Sequence, residues 1–440
     1  MCGGSVRSRP GAVSLGSCPV HAGPGLRGRA CRVGVLTGSV SRPVLGRTVG
    51  WVSALVFYAL LAAVLIGALA PLWVRLVRDT TRPGWVRRTA TVVLVVLMAS
   101  SVAADAGRQV LPRQVQQPLD LVGFGWLGAL VYLVLALVVL EPVRWWLRRR
   151  IAASGPAEEV DASRRLFLSR SLAVTAGVVA AGTVGYGTWA AAAPPVVRRV
   201  RITLSGLAPE LVGYRISTFS DAHLSSLYGR DRFARLVSMV NATEPDLVAV
   251  VGDLVDGSVA DLRRDVAPLG DLTARDGAFF VTGNHEYYVD TAEWMAHLPT
   301  LGVDVLRNER VTLSRGAGFF DLAGIDDATA GGSGVRGHGA DLTAALAGRD
   351  TTTPVVLLAH QPVQVDQARA AGVDLQLSGH THGGQLWPFP YLVGLEQPAV
   401  QGLSQHGDTQ LYVTAGVGYW GPPMRVGARP ELTVIELAQG

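Results

Sequence analysis

Four stretches of this chain carry no charged side chain: residues 48–74, 89–104, 121–140 and 171–197. A helix that crosses a bilayer needs about 20 consecutive apolar residues. The first and third stretches meet that length. The second, 16 residues long, spans only about 24 Å as a helix and reads as a thin span or a re-entrant piece. The fourth is rich in Gly and Ala, so its length is a stronger signal than its hydropathy. Residues 49–193 therefore read as an all-helical membrane region of about four spans.

Charge between the stretches orients them. Arg75, Arg78, Arg82, Arg87 and Arg88 separate the first two, and Arg144, Arg148, Arg149, Arg150, Arg164, Arg165 and Arg170 separate the last two. In the middle loop, Arg108 and Arg113 are matched by Asp105 and Asp120. Positive loops stay in the cytoplasm, which puts residues 194–440 outside the cell membrane. Residues 1–48 hold seven Arg and no acid, and they read as a disordered tail. This topology would export that tail, a conflict that a true start further downstream would remove. Residues 163–168, Ser-Arg-Arg-Leu-Phe-Leu, resemble a twin-arginine export signal, with small residues at 190–193 that a signal peptidase accepts. The competing reading is a simple cationic flank of the fourth span.

All 39 basic residues are Arg. Without Lys there is no P-loop, Schiff-base or protein-kinase lysine chemistry. Residues 1–193 have a net charge of +14 and residues 194–440 one of −9. The basic excess thus belongs to membrane orientation, and the acidic half is ill suited to long nucleic acid. All three cysteines, Cys2, Cys18 and Cys31, precede that half, so it has neither a disulfide nor a thiolate site.

From residue 196 short apolar runs alternate with helical stretches. Residues 215–220, 247–251, 278–282, 355–359 and 375–377 read as buried strands, and 233–241 and 291–298 as helices. Such alternation predicts an α/β layered domain whose reactive residues lie past the strand ends. The polar residues fall there: Asp221 and His223, Asp253, Asn284 and His285, His360, and His380 and His382. In extended backbone a spacing of two points side chains the same way, so Asp221 with His223, and His380 with His382, can each serve one centre. Oxygen and imidazole ligands without thiolate suit Mn, Fe or Zn. So many ligands exceed the needs of one ion and suit two divalent ions sharing a bridge, an arrangement for in-line phosphoryl displacement.

The ordered blocks D-x-H, GD-x-x-D, GNHE, H and GHTH resemble those of the calcineurin-like metallophosphoesterases, over residues 200–440. The resemblance implies a four-layer α/β/β/α sandwich. It also implies Asp221, His223 and His382 on one metal, Asn284, His360 and His380 on the other, and Asp253 as the bridge. His285 then stabilises the transition state or protonates the leaving oxygen. Gly383-Gly384-Gln385 and the run from Arg425 to Glu431 resemble a narrower bacterial branch, often membrane-anchored or exported, that is similar to UDP-diacylglucosamine pyrophosphatases and related phosphodiesterases. The implied substrate is a small phosphorylated or lipid-linked phosphodiester or pyrophosphate at the bilayer. A non-catalytic membrane sensor for a phosphorylated ligand is the alternative, opposed by the complete ligand set.

Other signals carry less. Residues 416–421 match G-x-G-x-x-G, but Pro422 and Pro423 follow where a nucleotide site needs a helix. Asp256 and Glu286 read as groups that orient ligands. His297, His338 and His406 read as surface residues. Trp387, Phe389 and Tyr391 read as packing beneath the sheet, with a substrate seat or bilayer contact as the alternative.

Overall fold

A computed structural model describes residue 63 and residues 67–108, 110–152 and 158–440. The Arg-rich tail expected over 1–48 and most of the first charge-free stretch lie outside the described residues. The end of that stretch is helical and runs into a π-helical turn, Trp73–Arg78.

Three described helices are long and apolar enough to cross a membrane: α1 (Trp85–Gly107), α2 (Arg113–Ala152) and α3 (Glu158–Ala192). Counting only charge-free residues understates α1. Its 23 residues reach about 34 Å, because Arg87 and Arg88 sit on its first turns and can extend their stems toward the interface. It is long enough to cross, so it need be neither thin nor re-entrant. The fourth stretch is trimmed instead: α3 stops at Ala192 and strand β1 (Val196–Leu204) begins four residues on. Within the small-residue stretch, Ala190 and Ala191 are buried and Ala192 is exposed.

Charged residues sort to the two ends of this bundle. At one end Arg75 pairs with Glu141 at 2.7 Å and Arg144 with Asp79 at 2.8 Å. At the other, Arg113 and Asp120 of α2 reach the domain that follows, binding Asp265 and Ser226. Asp120 and Glu141 are about 30 Å apart along α2, the thickness of a hydrocarbon core.

The domain from β1 onward holds two six-stranded sheets, with strands numbered in chain order. Side by side across the first sheet lie β1, β12 (Glu431–Gln439), β2 (Arg215–Phe219), β3 (Leu247–Val251), β4 (Ala278–Val281) and β5 (Val303–Val305). Across the second lie β10 (Gly402–His406), β11 (Thr409–Val413), β9 (Leu375–Ser378), β8 (Val355–Leu358), β7 (Gly318–Gly324) and β6 (Glu309–Arg315). β2 to β5 run parallel, as do β7, β8, β9 and β11, so their carboxyl ends gather at one rim.

Alternation along β3 shows how the layers form. Leu247, Ala249 and Val251 face the second sheet, meeting Phe320, Leu322, Val356 and Leu358. Val248 and Val250 face helices α4 (Arg230–Asn241) and α5 (Val259–Val266) through Phe233, Leu236 and Leu262. Helical segments with Leu342 and Ala368 cover the outer face of the second sheet. The result is the expected α/β/β/α sandwich. Each fully buried aliphatic side chain contributes about 2 kcal/mol to it.

The sandwich also packs against the long helices. Leu386, Met424 and Val426 enter the cluster of Leu94, Met98 and Leu130. The Arg425 amide donates to the Gly187 carbonyl at 2.9 Å.

Candidate metal centre

The site lies at the shared rim, where the expected residues come from five strand ends in both sheets. Five of them, Asp221, His223, Asp253, His380 and His382, have left-handed backbone, with φ between 47° and 72°. A non-glycine residue held there costs about 1–3 kcal/mol. The D-x-H and H-x-H pairs therefore converge through left-handed turns just past their strands, and not through the pleat of an extended chain. Their amides are captured in compensation. Asp221 donates to the Gly252 carbonyl, His223 to the Asp253 carbonyl, and His380 to the Asp221 carboxylate at 3.0 Å.

Room for this is made by residues without Cβ atoms. A Cβ on Gly283 would stand 2.2 Å from Oδ1 of Asp253. One on Gly418 would stand 2.1 Å from the Ala222 carbonyl oxygen, which accounts for the G-x-G at 416–418 as backbone packing behind Asp221.

The side chains form overlapping groups. Asp221, His223 and His382 make one, Asp253, His360 and His380 another, and His223, Asp253 and His285 a third that joins them. Asn284 stands beside the second, its Oδ1 accepting from His380 Nδ1 at 2.9 Å. The rings are aimed by their outer nitrogens. His360 Nδ1 donates to the Val251 carbonyl at 2.7 Å, leaving Nε2 inward, buried and without a hydrogen bond, 3.2 Å from Asp253 Oδ2. His223 Nδ1 binds Asp256 Oδ1 at 2.8 Å, so its Nε2 also points inward, 3.0 Å from His382 Nε2. Inward imidazole nitrogens meeting each other beside two buried carboxylates fit cations.

The electrostatics agree. Burial lowers the pKa of His380 to about 4, with the His360 charge adding to it. Burial, His223 and the Arg425 guanidinium hold His382 well below its usual range. Both shifts favour the neutral imidazole, the form that binds metal. Burial opposes the ionised form of Asp253, but the neighbouring His360 and His285 outweigh it and hold the carboxyl well below its usual range. His285 differs from the rest. Burial pulls it down, yet Asp253 and Asp256 overcome that and push it up to about 9, so it carries a proton at pH 7.

Asp256 and Glu286 take the orienting positions read from the sequence. Asp256 Oδ1 accepts from His223 and His285 alike, at 2.8 Å each. Glu286 accepts from the amides of Gly283, Asp253 and Leu254, tying two ligand loops together.

Several residues differ from expectation or escape it. Arg425 is buried with its guanidinium against Nδ1 of His382 and the carbonyls of His382, Ala415 and Gly418. Its run was visible in the sequence, but its contact with a ligand was not. Tyr288 and Trp420, both exposed, set their rings edge-on to His285 at 5.1 and 5.8 Å and form a rim that no spacing announces. His338 is not a surface residue: its side chain is 7% exposed and Nδ1 meets the Tyr287 hydroxyl at 3.0 Å. His297 is half-buried against Trp294, and His406 is half-buried beside Ser404. Trp387, Phe389 and Tyr391 are 52%, 37% and 71% exposed, so they do not pack beneath the sheet.

A family model described as calcineurin-like phosphoesterase matches residues 214–384, a span that holds all eight site residues. A transmembrane protein with metallophosphoesterase domain from Danio rerio is 41% identical over 330 residues, 73% of this chain and 74% of its own length. An uncharacterized metallophosphoesterase of Helicobacter pylori is 37% identical over 284 residues, 64% of this chain and 74% of its own. One from Bacillus subtilis is 33% identical over 287 residues, 62% of this chain and 97% of its own. The similar proteins thus extend beyond bacteria to a vertebrate.

Proposed function

This chain belongs to the calcineurin-like metallophosphoesterase family, a family of phosphoester hydrolases, and on that premise we propose that it is a dinuclear phosphodiesterase or pyrophosphatase acting at the outer face of a membrane. One observation carries the reading: the group of Asp221, His223 and His382 and the group of Asp253, His360 and His380 lie side by side, joined through His223, Asp253 and His285, with His285 in neither of the two. Asp221, His223 and His382 would hold one divalent ion and Asn284, His360 and His380 the other, with Asp253 between them. Mn, Fe or Zn suits these donors. A metal pair supplies an activated water and neutralises phosphoryl oxygens during displacement.

The protein's own groups do the rest. Asp256 fixes the His285 ring, which offers its proton to the departing oxygen. Glu286 keeps the Asp253 and Gly283 loops in register. Tyr288 and Trp420 give the substrate an aromatic edge.

The bilayer supports the choice of substrate. The sandwich rests on the helix ends that carry Arg113 and Asp120, and the exposed run from Trp387 to Leu395 adjoins Leu386, which packs among those helices. Exposed aromatic side chains beside spanning helices suit the membrane interface. A small lipid-linked or nucleotide-linked phosphoester fits such a position, and the −9 charge of residues 194–440 disfavours long nucleic acid. The test is hydrolysis by the full chain in lipid nanodiscs, on phosphodiesters, pyrophosphates and monoesters, with Mn, Fe or Zn added in turn. Diester or pyrophosphate turnover dependent on added metal is expected, and preference for simple monoesters would refute the substrate class.

A further inference from the structure

Asp256 uses one oxygen for two histidines. Its Oδ1 receives both His223 and His285, while Oδ2 faces the membrane helices. There Arg108, at the carboxyl end of α1, brings Nη1 to 3.6 Å. The guanidinium is held from behind, lying over the Phe124 ring of α2 at 4.5 Å from its centroid. Phe124 is buried, and the Arg108 side chain is only 20% exposed. The hairpin carrying both residues is braced on the sandwich by Arg113 with Asp265 and by Asp120 with Ser226. Asp265 also accepts from the Arg230 amide at 2.8 Å, so this brace joins the start of α4.

We infer that Arg108, supplied by the membrane hairpin, is a positioning residue for the hydrolytic site, acting on His285 through Asp256. A buried carboxylate that serves two imidazoles from one oxygen is free to rotate unless its second oxygen is engaged. Arg108 engages it with a charge that stacking on Phe124 has already oriented, a geometry suited to a planar guanidinium. Rotation of Asp256 would release the His285 ring together with the outer nitrogen of His223; His223 is still held inside by the other members of its group, whereas His285 has no second side-chain hydrogen bond among the described residues. The site is therefore complete only when the sandwich sits on its own hairpin, which ties turnover to an intact membrane region. In the sequence Arg108 reads only as loop charge balanced by Asp105. The inference rests on the role proposed for His285.

The test uses the full chain in nanodiscs with Mn and bis(p-nitrophenyl) phosphate, comparing wild type, Arg108→Gln, Arg108→Lys, Asp256→Asn and the Arg108→Gln/Asp256→Asn double variant. Arg108→Gln should lower kcat about tenfold, as loss of an outer partner does at metal sites, with KM within about twofold and metal content unchanged at saturating Mn. Arg108→Lys should recover part of that loss. In the Asp256→Asn background Arg108→Gln should add nothing further, because both act through one contact. Nitrogen NMR of labelled histidines in the full chain should show the His285 Nδ1 signal displaced in Arg108→Gln. Wild-type kcat in that variant, a rise in KM alone, additive losses, or metal lost in step with activity would each overturn the inference. If the wild type hydrolyses nothing tried, the proposed substrate fails, and the His285 signal still decides Arg108: an unmoved signal refutes the role.

Discussion

Asp253 is the bridge in the proposed assignment, and its replacement is the sharpest probe of it. Asp253→Ala should abolish hydrolysis and lower bound metal from about two ions toward one or none, measured by elemental analysis. His285→Gln should keep its metal and lose turnover, since His285 is held by Asp256 and is not required to complete either group. Loss of metal in step with activity would make His285 a ligand. Titration gives a second test on the metal-free chain. His285 rises from 6.5 to about 9 on folding, so its contribution to stability is complete below about pH 6.5 and vanishes as pH climbs through 9. His380 falls to about 4, so its contribution is present above pH 6.5 and disappears as pH drops toward 4. The contributions of these two histidines together are greatest near pH 6.5. In thermal unfolding of the stripped protein, His285→Gln should flatten the alkaline side, by up to about 3 kcal/mol at high pH. Equal alkaline slopes in both proteins would contradict this.

Legibility at the level of elements followed burial. β2, β3, β4, β8 and β9 are buried on both faces, and the sequence marks each within a residue or two. The other seven strands are absent from that reading. β1 carries Arg198, Arg199 and Arg201 at a sheet edge, and β6 and β10 are edge strands with no fully buried position. Edges keep polar residues, which erases the apolar run. The loops after the strands carry the site, and they are tight. Gly283→Ala changes no ligand, yet its Cβ would meet Asp253 at 2.2 Å. This variant should fold with both sheets intact by circular dichroism while losing most bound metal. Full metal occupancy would show that the GNH loop has slack.

For the whole molecule, the helix bundle has two charged ends, and the proposed orientation assigns one to each side of the membrane. Arg75, Asp79, Glu141 and Arg144 meet at one end, and the sandwich docks at the other. A reporter fused after Gly440 should behave as external and one inserted after Arg150 as cytoplasmic, because arginine collects in the loops held inside. A cytoplasmic signal from the Gly440 fusion would overturn the proposed orientation.

The sequence alone determined the composition of the site. Metal ligands are constrained by atom type, and a strand end has few residues to offer, so D-x-H, GNHE and GHTH name their members without coordinates. It also determined that long apolar helices precede the sandwich, since a bilayer demands length and lack of charge. Tertiary structure alone decided how those residues converge. Left-handed turns at five of them depend on hydrogen bonds between loops distant in sequence. It alone placed Arg108 at Asp256, 148 residues away in the chain, and Arg425 at His382. Such contacts arise because packing joins surfaces that no local pattern encodes, and a charge in a loop looks the same in sequence whether it faces water or meets a buried carboxylate.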